Sequence, residues 1–228
     1  MKVSRTLAAA ATAVALSLAS AGAALARPSV TVRVEGVHKT LLPARTVTAP
    51  ASGSITKGHT PAGACRAQSA AGALDVATHH NWGGSYSHGL GIEVSTILGT
   101  TYSYTKGAYW GFYVDNHYAS TGVCDAALHP GEQLLFAAVP AKGKVPLPIV
   151  LRAPRKASAG RAFTVKALYY PGKGNATKPL AGVKLAGANA TTNAKGVATV
   201  TARRAGRLAL VGSHSGYIRS AAVTVSVG

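Results

Sequence analysis

Residues 140–148, Pro140-Ala141-Lys142-Gly143-Lys144-Val145-Pro146-Leu147-Pro148, place three prolines within nine positions. Proline fixes φ and lacks the N–H that a helix or a central strand needs, so no regular element is expected to run through this stretch. The chain is therefore expected to fold as separate units on either side, joined by a linker over residues 141–148. Charge divides at the same place. Residues 27–140 carry 7 Lys and Arg against 6 Asp and Glu, whereas residues 141–228 carry 15 Lys and Arg and no acid. The net charge of +18 over 228 residues thus belongs mainly to one unit. Each unit, 27–140 and 149–228, is long enough to bury a core of its own.

At the N-terminus Lys2 and Arg5 flank the start of an apolar run over residues 7–19, followed by the small residues of Ala24-Leu25-Ala26. This is the pattern of an export signal over residues 1–26, and its small-residue exit distinguishes it from a spanning anchor. No twin arginine, cysteine for lipidation or apolar C-terminal tail accompanies it. The expected product is secreted, without a transmembrane anchor, and able to associate with a cell surface. Outside the cytosol the only two cysteines, Cys65 and Cys124, are expected to form one disulfide. A paired sulfur is no nucleophile, which removes Cys–His catalysis.

The first half alternates apolar and polar residues over 30–36, with a hairpin partner over 41–49. An Ala-rich helix is expected over 69–79, with Ala70, Ala73, Leu74 and Ala77 on one buried stripe. Further strands are expected over 92–98, 108–114 and 133–139, and residues 82–89 read as a Gly/Ser-rich loop. The second half has only short strand-like runs, at 163–168, 196–201, 207–212 and 222–227, separated by Gly, Asn and Lys turns. That spacing predicts an all-β sandwich.

In the first half Ala73-Leu74-Asp75-Val76-Ala77 precedes Trp82-Gly83-Gly84, and Tyr109-Trp110-Gly111-Phe112-Tyr113-Val114 runs into Asp115-Asn116. Gly122-Val123-Cys124 and His129-Pro130-Gly131-Glu132 then lead into a final strand. Together these resemble the domain at the C-terminal end of transcobalamin and intrinsic factor, which also occurs in secreted bacterial proteins. The resemblance covers residues 30–140 and implies a β-grasp-like α+β fold, with Cys65 and Cys124 where exported members carry their pair. In the vertebrate relatives the domain closes over cobalamin beside a large helical domain. Residues 141–228 offer no such domain, so no cofactor is expected, with cobalamin as the alternative ligand. Thr191-Thr192-Asn193-Ala194-Lys195-Gly196-Val197, within an expected hairpin over 187–201, and Arg207-Leu208-Ala209-Leu210 resemble immunoglobulin-like repeats of bacterial surface proteins. That resemblance covers residues 145–228 and implies a spacer or adhesive role.

Nine of the fourteen aromatic residues lie between Trp82 and Tyr118, so any aromatic ligand platform belongs to the first unit. On a strand they alternate faces, dividing between core pairs and exposed rings that suit a sugar or planar ligand. Trp82, Tyr86, His88, Trp110, Tyr113 and Asn116 are the expected ligand contacts. His79, His80, His88 and His117 show no zinc-ligand spacing, so no metal is expected. Gly83-Gly84-Ser85-Tyr86-Ser87-His88-Gly89 and Gly212-Ser213-His214-Ser215-Gly216 both miss the nucleophile pattern Gly-x-Ser-x-Gly, and no catalytic residue is expected. Lys173, Lys184, Lys195, Arg203, Arg204 and Arg207 are the expected contacts to an anionic polymer, or else a solubilising surface. Phe163, Tyr169, Tyr170 and Tyr217 are too few for base stacking, so no dedicated nucleic-acid site is expected.

The expected function is a secreted, non-enzymatic binding protein. Its first unit would take a small molecule or glycan, and its second an anionic cell-surface polymer. The alternatives are a corrinoid-scavenging protein and a structural surface adhesin without a dedicated ligand.

Overall fold

In the strand β1 (Ser29–Glu35), Val30, Val32 and Val34 turn to one face and are buried, while Arg33 and Glu35 turn to the other. The computed structural model describes residues 27–228; the expected export signal, residues 1–26, lies outside them. After β1 come β2 (Thr40–Thr48), the helix α1 (Ala70–Ala77), β3 (Trp82–Ser87), β4 (Gly91–Ile97) and β5 (Thr100–Thr101). β6 (Ala108–Val114), β7 (His117–Tyr118) and β8 (Gln133–Pro140) complete the first unit. Its main sheet has the order β2-β1-β8-β6-β7, with β1 and β8 parallel at the centre and the other pairs antiparallel. β3, β4 and β5 form a separate antiparallel sheet.

One face of the main sheet packs on α1. Ala70, Ala73, Leu74 and Ala77 are fully buried there with Val32, Trp110, Phe112 and Phe136. The helix has no side-chain cap at Ser69. Instead, its first free N–H groups at Ala70 and Ala71 donate to the carbonyls of Ala126 and Val123, at 3.1 and 2.9 Å. That loop carries Cys124, whose disulfide to Cys65 holds the capping carbonyls against the helix. Gly72 lies so close to the preceding loop that a Cβ would overlap the Ala67 carbonyl. Gly72→Ala is accordingly expected to cost about 1–3 kcal/mol by overpacking, read as a lower thermal midpoint; an unchanged midpoint would show that the helix can shift freely.

Residues 82–87 are a strand rather than the expected loop. Two glycines lower the local strand preference, but a close partner requires one of them: a Cβ on Gly84 would overlap the Glu93 carbonyl of β4.

The second unit starts inside the proline-rich stretch. β9 (Leu147–Pro148) is followed by β10 (Val150–Arg152), β11 (Lys156–Ala157), β12 (Ala162–Tyr169), β13 (Lys178–Pro179) and β14 (Lys184–Ala186). Then come β15 (Ala190–Thr191), β16 (Val197–Thr201), β17 (Gly206–Ser213), β18 (Tyr217–Ile218) and β19 (Val223–Val227). β12 pairs with β10, β13 and β16 in one sheet, and a second sheet has the order β11-β19-β17-β14-β15. Val165, Ala167 and Val200 from the first sheet meet Leu185, Leu210 and Val225 from the second in one core. The expected hairpin over 187–201 does not form as a paired unit. β15 pairs with β14 and β16 with β12, so the chain crosses between sheets there. The whole is β-rich with a single α-helix among the described residues, and none of these is long and apolar enough to cross a membrane.

The linker is only partly free. Leu147 and Pro148 pair in parallel with Tyr217 and Ile218, and this two-stranded ribbon lies against the second face of the first unit's main sheet. That face carries Arg33 and Glu35 on β1, Leu135, Ala137 and Val139 on β8, and Tyr109 and Tyr113 on β6. Ile218 packs on Tyr113, Leu135, Ala137 and Val139. Glu35, 2% exposed, accepts from Arg33 Nη1 at 2.9 Å, from Thr40 Oγ1 at 2.9 and 3.0 Å, and from Arg219 Nε at 3.1 Å, with Arg219 Nη2 in ion-pair contact at 2.9 Å. Arg33 Nη1 also donates to the Arg219 carbonyl at 2.7 Å. Burial pulls the Arg33 guanidinium below its ordinary range; Glu35 opposes this and Arg219 adds to it.

Candidate functional site

The six expected ligand contacts of the first unit do not converge. Trp82 is 5% exposed, and its indole N–H donates to Asp75 Oδ1 at 2.8 Å, with Lys57 Nζ 5.5 Å from the ring centroid. It ties β3 to the helix and is a core residue. Tyr86 turns to the same face of β3, half-buried against the core, while His88 stands exposed in the β3–β4 turn. Trp110 and Tyr113 are three residues apart on β6 and so project to opposite faces. Tyr113 is fully buried, and its hydroxyl donates to the Pro146 carbonyl at 2.8 Å. Burial pushes that hydroxyl well above the ordinary tyrosine range, with Tyr118 and Tyr109 adding to the rise, so it acts as a neutral donor. Its role is in the junction. Asn116 occupies a left-handed position (φ 68°) in the β6–β7 turn.

Trp110 lines a hollow of 160 Å³ together with Ile92, Val94, Phe112, Tyr118 and Phe136. Its Nε1 is buried without a hydrogen-bond partner. Asp75 and Glu132 are occupied locally: His80 Nδ1 lies 2.6 Å from Asp75 Oδ2, and His129 Nδ1 lies 2.7 Å from Glu132 Oε1. Among the described residues no group of three or more His, Cys, Asp or Glu could hold a metal ion.

The six expected polymer contacts also separate. Arg203, Arg204 and Arg207 line one open concavity of 990 Å³ with Gly187, Asn189 and Val227. Lys184 borders the neighbouring hollow beside Asn189 and Thr191. Lys173 and Lys195 sit in exposed turns toward the other end of β12, since Tyr169 pairs with Lys178 and Ala167 N bonds to Gly196 O, whereas Ala162 pairs with Thr201.

Three residues with no proximity in sequence join the arginines. Arg207 and Lys156 both pair with Ser226, one from each side, and all three face outward. The Arg155 carbonyl accepts from Ser226 N, and Gly160 N donates to the Ala202 carbonyl, which brings Arg155 and Arg161 to the same end. This end therefore gathers Arg155, Lys156, Arg161, Arg203, Arg204 and Arg207, all exposed, in a unit without an Asp or Glu side chain. It lies at the start of β17, and the ribbon against the first unit lies near its other end, about 23 Å away at ~3.3 Å per residue.

Such an arrangement presents several uncompensated donors on a concave, solvated surface, suited to several anionic groups at once. No protein-family model matches the chain, and no curated protein matches it.

Proposed function

We propose that the chain is a secreted, non-enzymatic binding protein whose second unit holds an anionic cell-surface polymer at its arginine-rich end. The observation that carries this is the convergence of Arg203, Arg204 and Arg207 on one concavity, flanked by Arg155, Lys156 and Arg161 with no carboxylate side chain in the unit. The first unit is β-grasp-like in this reading, supported by a hairpin, a helix and a last strand that returns parallel to β1 at the sheet's centre. The face-to-face sheets support an immunoglobulin-like second unit. The first unit's own ligand, a small molecule or saccharide, belongs in the hollow that Trp110 lines.

Attraction of this kind depends on displacing small ions from the polymer, so it weakens with salt. Three arginine–phosphate contacts on a flexible polyanion would lose about twentyfold in affinity between roughly 50 and 200 mM salt. Binding of the full chain to a purified phosphate-rich wall polymer, followed as salt rises, measures this. Arg203→Glu/Arg204→Glu/Arg207→Glu is expected to abolish the interaction, and Lys173→Glu at the other end to leave most of it. Retention that ignores salt, or survives the triple substitution, would sink the proposal.

A further inference from the structure

The junction of the two units borders a half-open cavity of 420 Å³, within the size range of small-molecule sites, which favour such junctions. Val37, Pro146 and Tyr217 line it with accessible apolar surface, over the buried Ala137, Val139 and Ile218. Its charged lining residues are Glu35 and Arg219, which pair with each other, and the exposed Lys144.

Hydrogen-bond accounting gives these residues a sign. Both Glu35 oxygens are occupied: Oε1 by Arg33 and Thr40, and Oε2 by Thr40 and Arg219. The nearby carbonyls of Gly36 and Val37 are taken by Arg219 Nη2 at 2.7 Å and Nη1 at 3.2 Å. A guanidinium has five N–H groups. Arg219 commits three, to Glu35, Gly36 and Val37 once each, which leaves one on each Nη. Acceptors are used up, while a donor remains on Arg219 and Lys144 has no carboxylate partner. Of the residues that line the cavity, Arg219 and Lys144 against Glu35 leave a net charge of +1, and Arg33 stands behind Glu35 as its second cation.

We propose that this cavity binds a small organic carboxylate with an apolar body, its head group between Arg219 and Lys144 and its body against Val37, Pro146 and Tyr217. An organic cation would find no free acceptor in the charged lining. A highly charged polyanion would leave the apolar walls unused. The site is separate from the arginine-lined concavity of the second unit and does not depend on it.

Octanoate is the probe, with octanol and octylamine as its uncharged and cationic counterparts, titrated into the full chain by calorimetry. Octanoate is expected to bind, octanol about tenfold or more weakly for want of the charged hydrogen bonds, and octylamine not at all. Lys144→Glu and Val37→Glu alter exposed rim positions that the fold does not need, and each is expected to weaken octanoate by about tenfold. The triple arginine variant should bind octanoate as the unaltered chain does. Absence of octanoate binding, equal binding of octanol or octylamine, indifference to both rim variants, or loss in the triple arginine variant would each overturn the proposal.

Discussion

Glu35→Gln is expected to lower the folding free energy by about 3–5 kcal/mol, the range found when one partner of a buried ion group is removed. The amide keeps the shape of the carboxylate but leaves the Arg33 and Arg219 guanidinium groups near each other without their counter-charge. Arginine does not deprotonate to escape this, even where burial pulls its titration down. Denaturant midpoints of the unaltered chain and the variant measure the cost. A second variant identifies its source. Arg33→Met/Glu35→Leu/Arg219→Met removes every charge of the cluster and should recover most of the loss, because the cost of withdrawing three ions from water goes with them. A Glu35→Gln cost under about 1 kcal/mol, the scale of an exposed ion pair, would show that the cluster is solvated and does not clasp the two units.

Cys65→Ala/Cys124→Ala is the second large effect. The bridge spans 59 positions, and opening a loop of that length costs about 4 kcal/mol on the chain-entropy account. More is expected here. The loop that Cys124 pins also supplies the carbonyls of Val123 and Ala126 that receive the first N–H groups of α1, and Cys65 is fully buried beside it. The double-alanine variant should therefore lose protection from hydrogen exchange at Ala70 and Ala71 as well as stability. Full protection there, with only the midpoint lowered, would confine the disulfide to its effect on the unfolded chain.

The sequence carried the core more clearly than the surfaces. Val30, Val32 and Val34 alternate with polar residues, and Ala70, Ala73, Leu74 and Ala77 recur at helical spacing; both patterns follow from local geometry, and both sets are buried. The strand at Trp82 was hidden because Gly83 and Gly84 remove the local preference, and only the neighbouring β4 backbone explains why Gly84 is a glycine. Arg33 and Glu35 fit a solvated face equally well. What buries them is Arg219, 184 positions beyond Glu35, and no local pattern announces so distant a contact. The arginine-rich end was half legible: Arg203, Arg204 and Arg207 are neighbours in sequence, but Arg155, Lys156 and Arg161 arrive through the pairing of β11 with β19 and the contact at Ala202. Trp82 and Tyr113 illustrate the opposite error. Their size and polar tips suit a ligand as well as a core, and burial alone separates the two roles.

The clasp at Glu35 also has a place in time. Arg33 and Glu35 leave the ribosome early, whereas Arg219 follows Arg33 by 186 positions. Until that residue and its neighbour Ile218 emerge, the sheet face bearing Tyr113, Leu135, Ala137 and Val139 lacks the side chain that packs on it. Contacts between such distant positions form slowly, because a long loop must close before they give any return. The first unit consequently passes through a period with an apolar, charged face bare, the stage at which a chaperone would have something to hold.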